Sequence, residues 1–162
     1  MTDPIKLIGN VASPYTRKMV AYLRYKRIPY EVIWGQPEDV LKKINIEPPK
    51  PILLPVFILD RDGQATAVTD STPLIREFEE KYSDRSVLPK DPALNFINFV
   101  LEDFGDEWCT KFMFHYRWHF DEDADNAGTI LPLGINSNLK DDELAFFKEH
   151  FAKRQIDRLW VV

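Results

Sequence analysis

The hydrophobic period along this chain changes in a fixed order, and that order limits the possible folds more than any single motif does. Ile5 to Ile8, within "IKLIG", reads as a short buried strand. Pro14 to about Arg27 reads as a helix, with Tyr15, Met19, Val20 and Leu23 spaced to fall on one face. "YEVIW", residues 30–34, is a second strand, and "PEDVLKKI" a short helix. "EPPKP", residues 47–51, ends that helix, because proline cannot propagate it. The period then returns to two in "VFILD", 56–60, and "QATAVT", 64–69. Between them, Asp60-Arg61-Asp62-Gly63 is a hairpin signal, with Gly63 free to take a positive φ. Asp70-Ser71-Thr72-Pro73 opens another helix, to about Tyr82, with Leu74, Ile75 and Phe78 inward. The order is βαβα followed by ββα.

After that, strands stop. "SDRSVLPKDPA", 83–93, is polar and proline-containing and reads as a linker. A single helix is expected from Asp91 or Pro92 to about His119, broken by "DEDADNAG". A last helix should start after Asn138 or Lys140 and run toward Leu159. The expected organisation is an α/β domain over 1–83, a linker over 84–92 and an all-α domain over 93–162. The apolar "LWVV" end implies that this helical domain is incomplete.

With 44% hydrophobic and 29% charged residues, the chain should fold. A net charge of -5 argues against a non-specific nucleic-acid surface or an anionic-membrane surface. No apolar run approaches the roughly 20 residues of a membrane span, and no signal peptide is evident, so a cytoplasmic protein is expected. The single cysteine, Cys109, forms no internal disulfide and excludes a Cys-rich zinc site. Its aromatic surroundings make it an expected inert core residue.

Ser13-Pro14 is a helix-start signal, an N-cap followed by proline at the first helical position. The same serine hydroxyl, beside a helix N-terminus, would stabilise an anion or a thiolate. Local chemistry fits both roles.

Three segments, in order, resemble the cytosolic glutathione transferase superfamily. "SPYTRK" resembles the active-site turn of bacterial-type members that use serine there. "LLPVF" resembles the segment with a cis proline before the third strand, and "TDSTPLI" the acidic-then-serine motif that opens the third helix. "LEDFGDEW" resembles the first helix of the second domain. The resemblance implies a thioredoxin-like domain, with a four-stranded mixed sheet, followed by a helical domain. It also implies glutathione as co-substrate, a small, apolar electrophile as second substrate, and a homodimer. Ser13 would stabilise the glutathione thiolate. The Leu54 main chain, exposed by a cis Pro55, would pair with the cysteinyl backbone. Asp70 would meet the γ-glutamyl ammonium and Ser71 its carboxylate, with Lys50 near the glycine carboxylate. Tyr15 is the competing hydroxyl, although its spacing fits packing on Met19 and Leu23. Ser13 and Thr16 stand where a disulfide-exchanging relative would carry cysteines, which excludes that chemistry.

The alternative is a binding or interaction module of the same fold without catalysis. The run "WCTKFMFHYRWHF" serves either a substrate pocket or a helical core. No metal is expected. His115 and His119 are four apart but lack a third ligand nearby. Asp121, Asp123 and Asp125 have calcium-loop spacing, but Asn126 replaces the required glycine and Pro132 the glutamate, leaving a solvated acidic loop.

Overall fold

The computed structural model describes residues 3–161. The chain divides into two compact units, Met1–Val87 and Leu88–Val162.

In the first unit, β1 (Ile5–Gly9), α1 (Pro14–Lys26), β2 (Tyr30–Trp34), α2 (Pro37–Lys43), β3 (Val56–Arg61), β4 (Gln64–Val68) and α3 (Ser71–Lys81) follow one another. They build a four-stranded mixed sheet in the order β2-β1-β3-β4. β1 and β2 are parallel, because the α1 crossover returns the chain to the same end of the sheet. The tight Asp62-Gly63 turn makes β3 and β4 antiparallel, with Gly63 at φ +81°. This is the thioredoxin-like order.

The pleat sorts the apolar side chains onto two faces. Ile5, Leu7 and Phe57 join Met19 and Leu23 of α1 and Leu74, Ile75 and Phe78 of α3. Ile8, Val56 and Ala67 join Leu41 of α2 on the other face. Phe78, Phe57 and Tyr82 meet edge-to-face, with ring centroids 5.7 and 6.2 Å from Phe78.

One expectation about α1 needs correction. Its inner stripe is Thr16, Met19, Tyr22, Leu23 and Lys26, while Tyr15 is only half-buried and lies outside the cluster around Met19 and Leu23. Tyr22 and Lys26 face inward because Glu79 of α3 provides a polar partner inside. The Tyr22 hydroxyl donates to Glu79 Oε1 at 2.8 Å, and Lys26 Nζ lies 2.9 Å from the same oxygen. Lys26 also donates to the Tyr82 carbonyl at 2.5 Å. Glu79 Oε2 accepts from the Ser86 hydroxyl at 2.5 Å and the Val87 N–H at 3.1 Å. One carboxylate therefore ties α1, α3 and the segment after α3 together.

In the second unit, α4 (Pro92–Asp103) and α5 (Thr110–Trp118) form the expected long helix. A π-helical segment, Phe104–Cys109, interrupts its pitch. Two expectations fail here. "DEDADNAG" is not a loop but the first half of α6 (Asp121–Ile135), and the break falls before it, around His119 and Phe120. Asp121, Glu122 and Asp123 occupy its first turn, where the helix dipole favours carboxylates. Cys109 is exposed, not in the core, because the π segment buries no residue.

α7 (Asp141–Ile156) follows, its start fixed by Glu143, which accepts the Lys140 N–H at 2.9 Å. The core of this unit is Trp118, Ala124 and Ala127, packed with Phe114, Leu131 and Phe151. Small residues let α6 and α7 approach; a Cβ on Gly128 would sit 3.0 Å from Lys148 Cγ. The aromatic run thus splits by face. Phe114 and Trp118 turn inward, whereas Trp108, Phe112, Tyr116 and Phe120, four apart, are exposed. Among the described residues, no helix is long and apolar enough to cross a membrane.

Candidate functional site

Sheet register brings the separated motifs to one end of the first unit. β1 ends at Gly9, and the chain turns through Ser13 into α1. β3 pairs antiparallel with β1, Val56 opposite Ile8, so Leu54 and Pro55 lie just outside that same end. β4 pairs with β3, Val68 opposite Phe57, so Asp70 and Ser71 emerge there too. Thr69 fastens the two segments, its hydroxyl donating to the Leu53 carbonyl at 2.7 Å. The N-termini of α1 and α3 consequently open toward one region, at the carboxyl ends of β1 and β4. Helix N-termini carry unpaired N–H groups and partial positive charge, so this end favours anions.

Ser13 is the N-cap of α1, with φ -79° and ψ 120°. Its Oγ accepts the Thr16 N–H at 3.2 Å. Capping uses the oxygen only as an acceptor, so the hydroxyl proton stays available for donation. The turn is held from below by Thr16, which is 1% exposed and accepts the Asn10 N–H at 3.4 Å. Gly9 makes this possible: a Cβ there would lie 2.5 Å from Thr16 Cγ2. Gly9 and Thr16 are structural parts of the site that the motif alone does not reveal. A glycine ending an apolar strand, one helical turn before the cap, is the available signal.

The Leu54–Pro55 peptide is cis, as is Lys50–Pro51. Among the described residues, none hydrogen-bonds to the Leu54 main chain. Lys50 stands further back in the same loop and is exposed.

Asp70, not Ser71, caps α3, its carboxylate accepting the Thr72 N–H at 3.2 Å. Its backbone sits at φ +83° and ψ 114°, a conformation that a residue with a Cβ rarely adopts. Such strain costs on the order of 1–3 kcal/mol and concentrates at functional sites. Ser71, the first residue of the helix, is 6% exposed, yet no described residue hydrogen-bonds to its hydroxyl. Tyr15, half-buried, belongs to the first turn of α1. Among the described residues, no group of three histidine, cysteine or acidic side chains gathers to hold a metal.

Residues 7–86 match the family described as glutathione S-transferase, N-terminal domain. No curated protein matches the chain. Among solved structures, a glutathione S-transferase from Methylobacterium radiotolerans, in complex with glutathione sulfonate, superposes with a TM-score of 0.57 at 22% identity. That match covers 96% of this chain and 63% of the other. The Tau class enzyme MiGSTU from mango, Mangifera indica, gives 0.53 at 21% identity, over 98% of this chain and 80% of that one. A maleylacetoacetate isomerase from Anaeromyxobacter dehalogenans, with glutathione in its active site, gives 0.51 at 14% identity, over 94% and 82%. The chain thus spans less than two thirds of the length of the Methylobacterium protein. At these identities the likeness is one of fold, which the sheet order and the helical second unit share. Over residues 7–86 this chain is a glutathione S-transferase N-terminal domain.

Proposed function

We propose that this protein is a bacterial-type glutathione transferase in which Ser13 stabilises the thiolate of bound glutathione for attack on a small, apolar electrophile. The observation that carries this reading is the convergence of two helix N-termini, one capped by Ser13 and one by Asp70, on the end of the sheet where no described residue hydrogen-bonds to the Leu54 main chain. Glutathione has complementary groups. Its cysteinyl backbone would pair with the Leu54 N–H and C=O beside Pro55, in the manner of an added strand. Its γ-glutamyl ammonium would meet Asp70, and the adjoining carboxylate the Ser71 hydroxyl at the start of α3. Lys50 would serve the glycine carboxylate, with Tyr15 bordering the thiol. The glutathione-binding domain is then residues 1–83, followed by a linker over 84–92 and a helical domain from 93.

Glutathione titration calorimetry tests the binding part. Asp70→Asn should weaken binding about tenfold, the worth of one hydrogen bond to a charged group. Ser71→Ala should weaken it with little loss of stability, since Asp70 provides the cap. Unchanged affinity in both variants would remove this motif from the site.

We further propose a two-fold homodimer. α4 buries no residue, and Phe96, Ile97, Phe99, Val100, Leu101 and Phe104 are each between 45% and 67% exposed. That much apolar surface along α4 and the start of the π-helical segment is what an isologous interface covers. Light scattering at micromolar concentration should give twice the chain mass; a stable monomer would refute the dimer.

A further inference from the structure

We infer, on the role proposed above for Ser13, that Asn10 is the residue that positions the Ser13 hydroxyl against the glutathione sulfur. A hydroxyl stabilises a thiolate only where its O–H points at the sulfur, and a hydrogen bond weakens steeply with distance and angle. Ser13 must therefore be held to within about 0.5 Å by residues that do not themselves touch the ligand.

Asn10, Val11 and Ala12 carry the chain from the end of β1 to Ser13. Val11 is 49% exposed and Ala12 half-buried, so apolar packing does little to fix the middle of this turn. Asn10, which is buried, fixes it with polar bonds instead. Its carbonyl accepts the Ser13 N–H at 3.1 Å, closing a four-residue turn. Its side-chain Oδ1 accepts the Ala12 N–H at 2.9 Å, the bond by which asparagine copies a backbone turn. Its own N–H donates to Thr16 Oγ1 at 3.4 Å. One buried residue thus reaches the cap, the residue before the cap and the first turn of α1. The sheet anchors the base of the turn, where the Gly35 N–H donates to the Gly9 carbonyl at 3.3 Å. Arg17 adds an outer hold, its Nε donating to the Val11 carbonyl at 2.7 Å.

The side-chain contribution is separable, because only the Oδ1 bond belongs to it. Breaking that bond frees the Val11–Ala12 peptide, just before Ser13, and leaves the helix cap and the sheet in place. An aspartate would accept the same N–H, but would set a carboxylate near the anion that the site is proposed to favour. The amide holds the turn without a charge.

Spectrophotometric titration of the thiol in the glutathione complex of the full chain tests this. Asn10→Ala is expected to raise the bound thiol pKa by about 0.5–1 unit, or roughly three- to tenfold less thiolate at pH below that pKa. Glutathione affinity should change by less than about twofold. Asn10→Ser should return the pKa most of the way, since a hydroxyl accepts the same N–H more weakly. Asn10→Gln should act like Asn10→Ala, because its amide stands one methylene too far out to close the turn. It provides the reading if the alanine variant does not fold. In a Ser13→Gly background, Asn10→Ala should move the pKa no further, because no hydroxyl remains to be positioned. A role in folding alone would lower the thermal midpoint and leave the pKa in place. The inference is overturned if Ser13→Gly raises the pKa but neither Asn10→Ala nor Asn10→Gln does. It is also overturned if the Asn10 effect persists in full without the Ser13 hydroxyl. A Ser13→Gly complex that ionises like the unmodified one overturns the Ser13 role itself, and the Asn10 role with it.

Discussion

Replacing Glu79 with alanine is expected to destabilise the protein by about 3–5 kcal/mol, read as a lowered midpoint of urea unfolding. The Lys26 side chain is 0% exposed and that of Glu79 6%, so removing one partner strands a charge away from water. The same substitution leaves the Tyr22 hydroxyl only the Ile75 carbonyl at 3.5 Å as acceptor and takes away the acceptor of the Val87 N–H. Lys26→Met should be similarly costly. The double variant Lys26→Met, Glu79→Leu should lose much less than the sum, because no unpaired charge remains. Additive losses would mean that the pair is not coupled.

The pH dependence follows in sign. Burial pushes the Glu79 carboxyl up, but hydrogen bonds from Ser86, Lys26 and Tyr22, with the Lys26 charge, together hold it below its ordinary value. A depressed carboxyl contributes stability above its unfolded pKa, and that stability is lost as pH falls through the folded value. Tyr22 moves the other way. Burial chiefly, then its bond to Glu79, raises its phenol well above the usual range. Its contribution is present below about pH 10 and is lost as pH rises beyond it, where the unfolded chain ionises first. Glu79→Gln should flatten the acid limb and Tyr22→Phe the alkaline limb.

That network shows where sequence reasoning runs out. Lys26 and Glu79 are far apart along the chain, and each reads locally as a polar residue near a helix C-terminus. Only the packing of α1 on α3 makes them partners. The strands, by contrast, are legible because alternation and turn residues act locally: "YEVIW" is a strand from end to end, and Asp62-Gly63 forms the hairpin turn. The cap at Ser13 is legible for the same reason. The sequence leaves open which of Asp70 and Ser71 caps α3, because either residue can cap, and the choice of Asp70 rests on a positive φ there that no composition rule anticipates. "DEDADNAG" misleads through its polarity: its carboxylates fit a helix's first turn as well as a loop, and Ala124 and Ala127 are the buried positions beneath them. The π segment has no signature in hydrophobic period, so Cys109 and its neighbours turn outward where a regular helix would have placed them differently. The convergence of the site lay in the order of the motifs, but its geometry needed the register of β1, β3 and β4.

Ser13 carries the central claim, and the ionisation of bound glutathione tests it most directly. Free glutathione thiol has an ordinary pKa near about 8.5. A hydroxyl donating to sulfur at a helix N-terminus favours the anion, and a hydrogen bond to a charged group is worth about 1.5–3 kcal/mol, or roughly 1–2 pKa units. Ser13→Ala also removes the cap, at about 1 kcal/mol of stability, whereas Ser13→Gly costs only a few tenths. Glycine therefore separates the two roles. Spectrophotometric titration of the thiolate in the complex should show ionisation below the solution value in the unmodified protein. In both variants the pKa should rise by about 1–2 units, with glutathione affinity nearly unchanged. An unshifted thiol in the unmodified complex, or a shift that survives Ser13→Gly intact, would contradict the account and leave a glutathione-binding module without Ser13 chemistry.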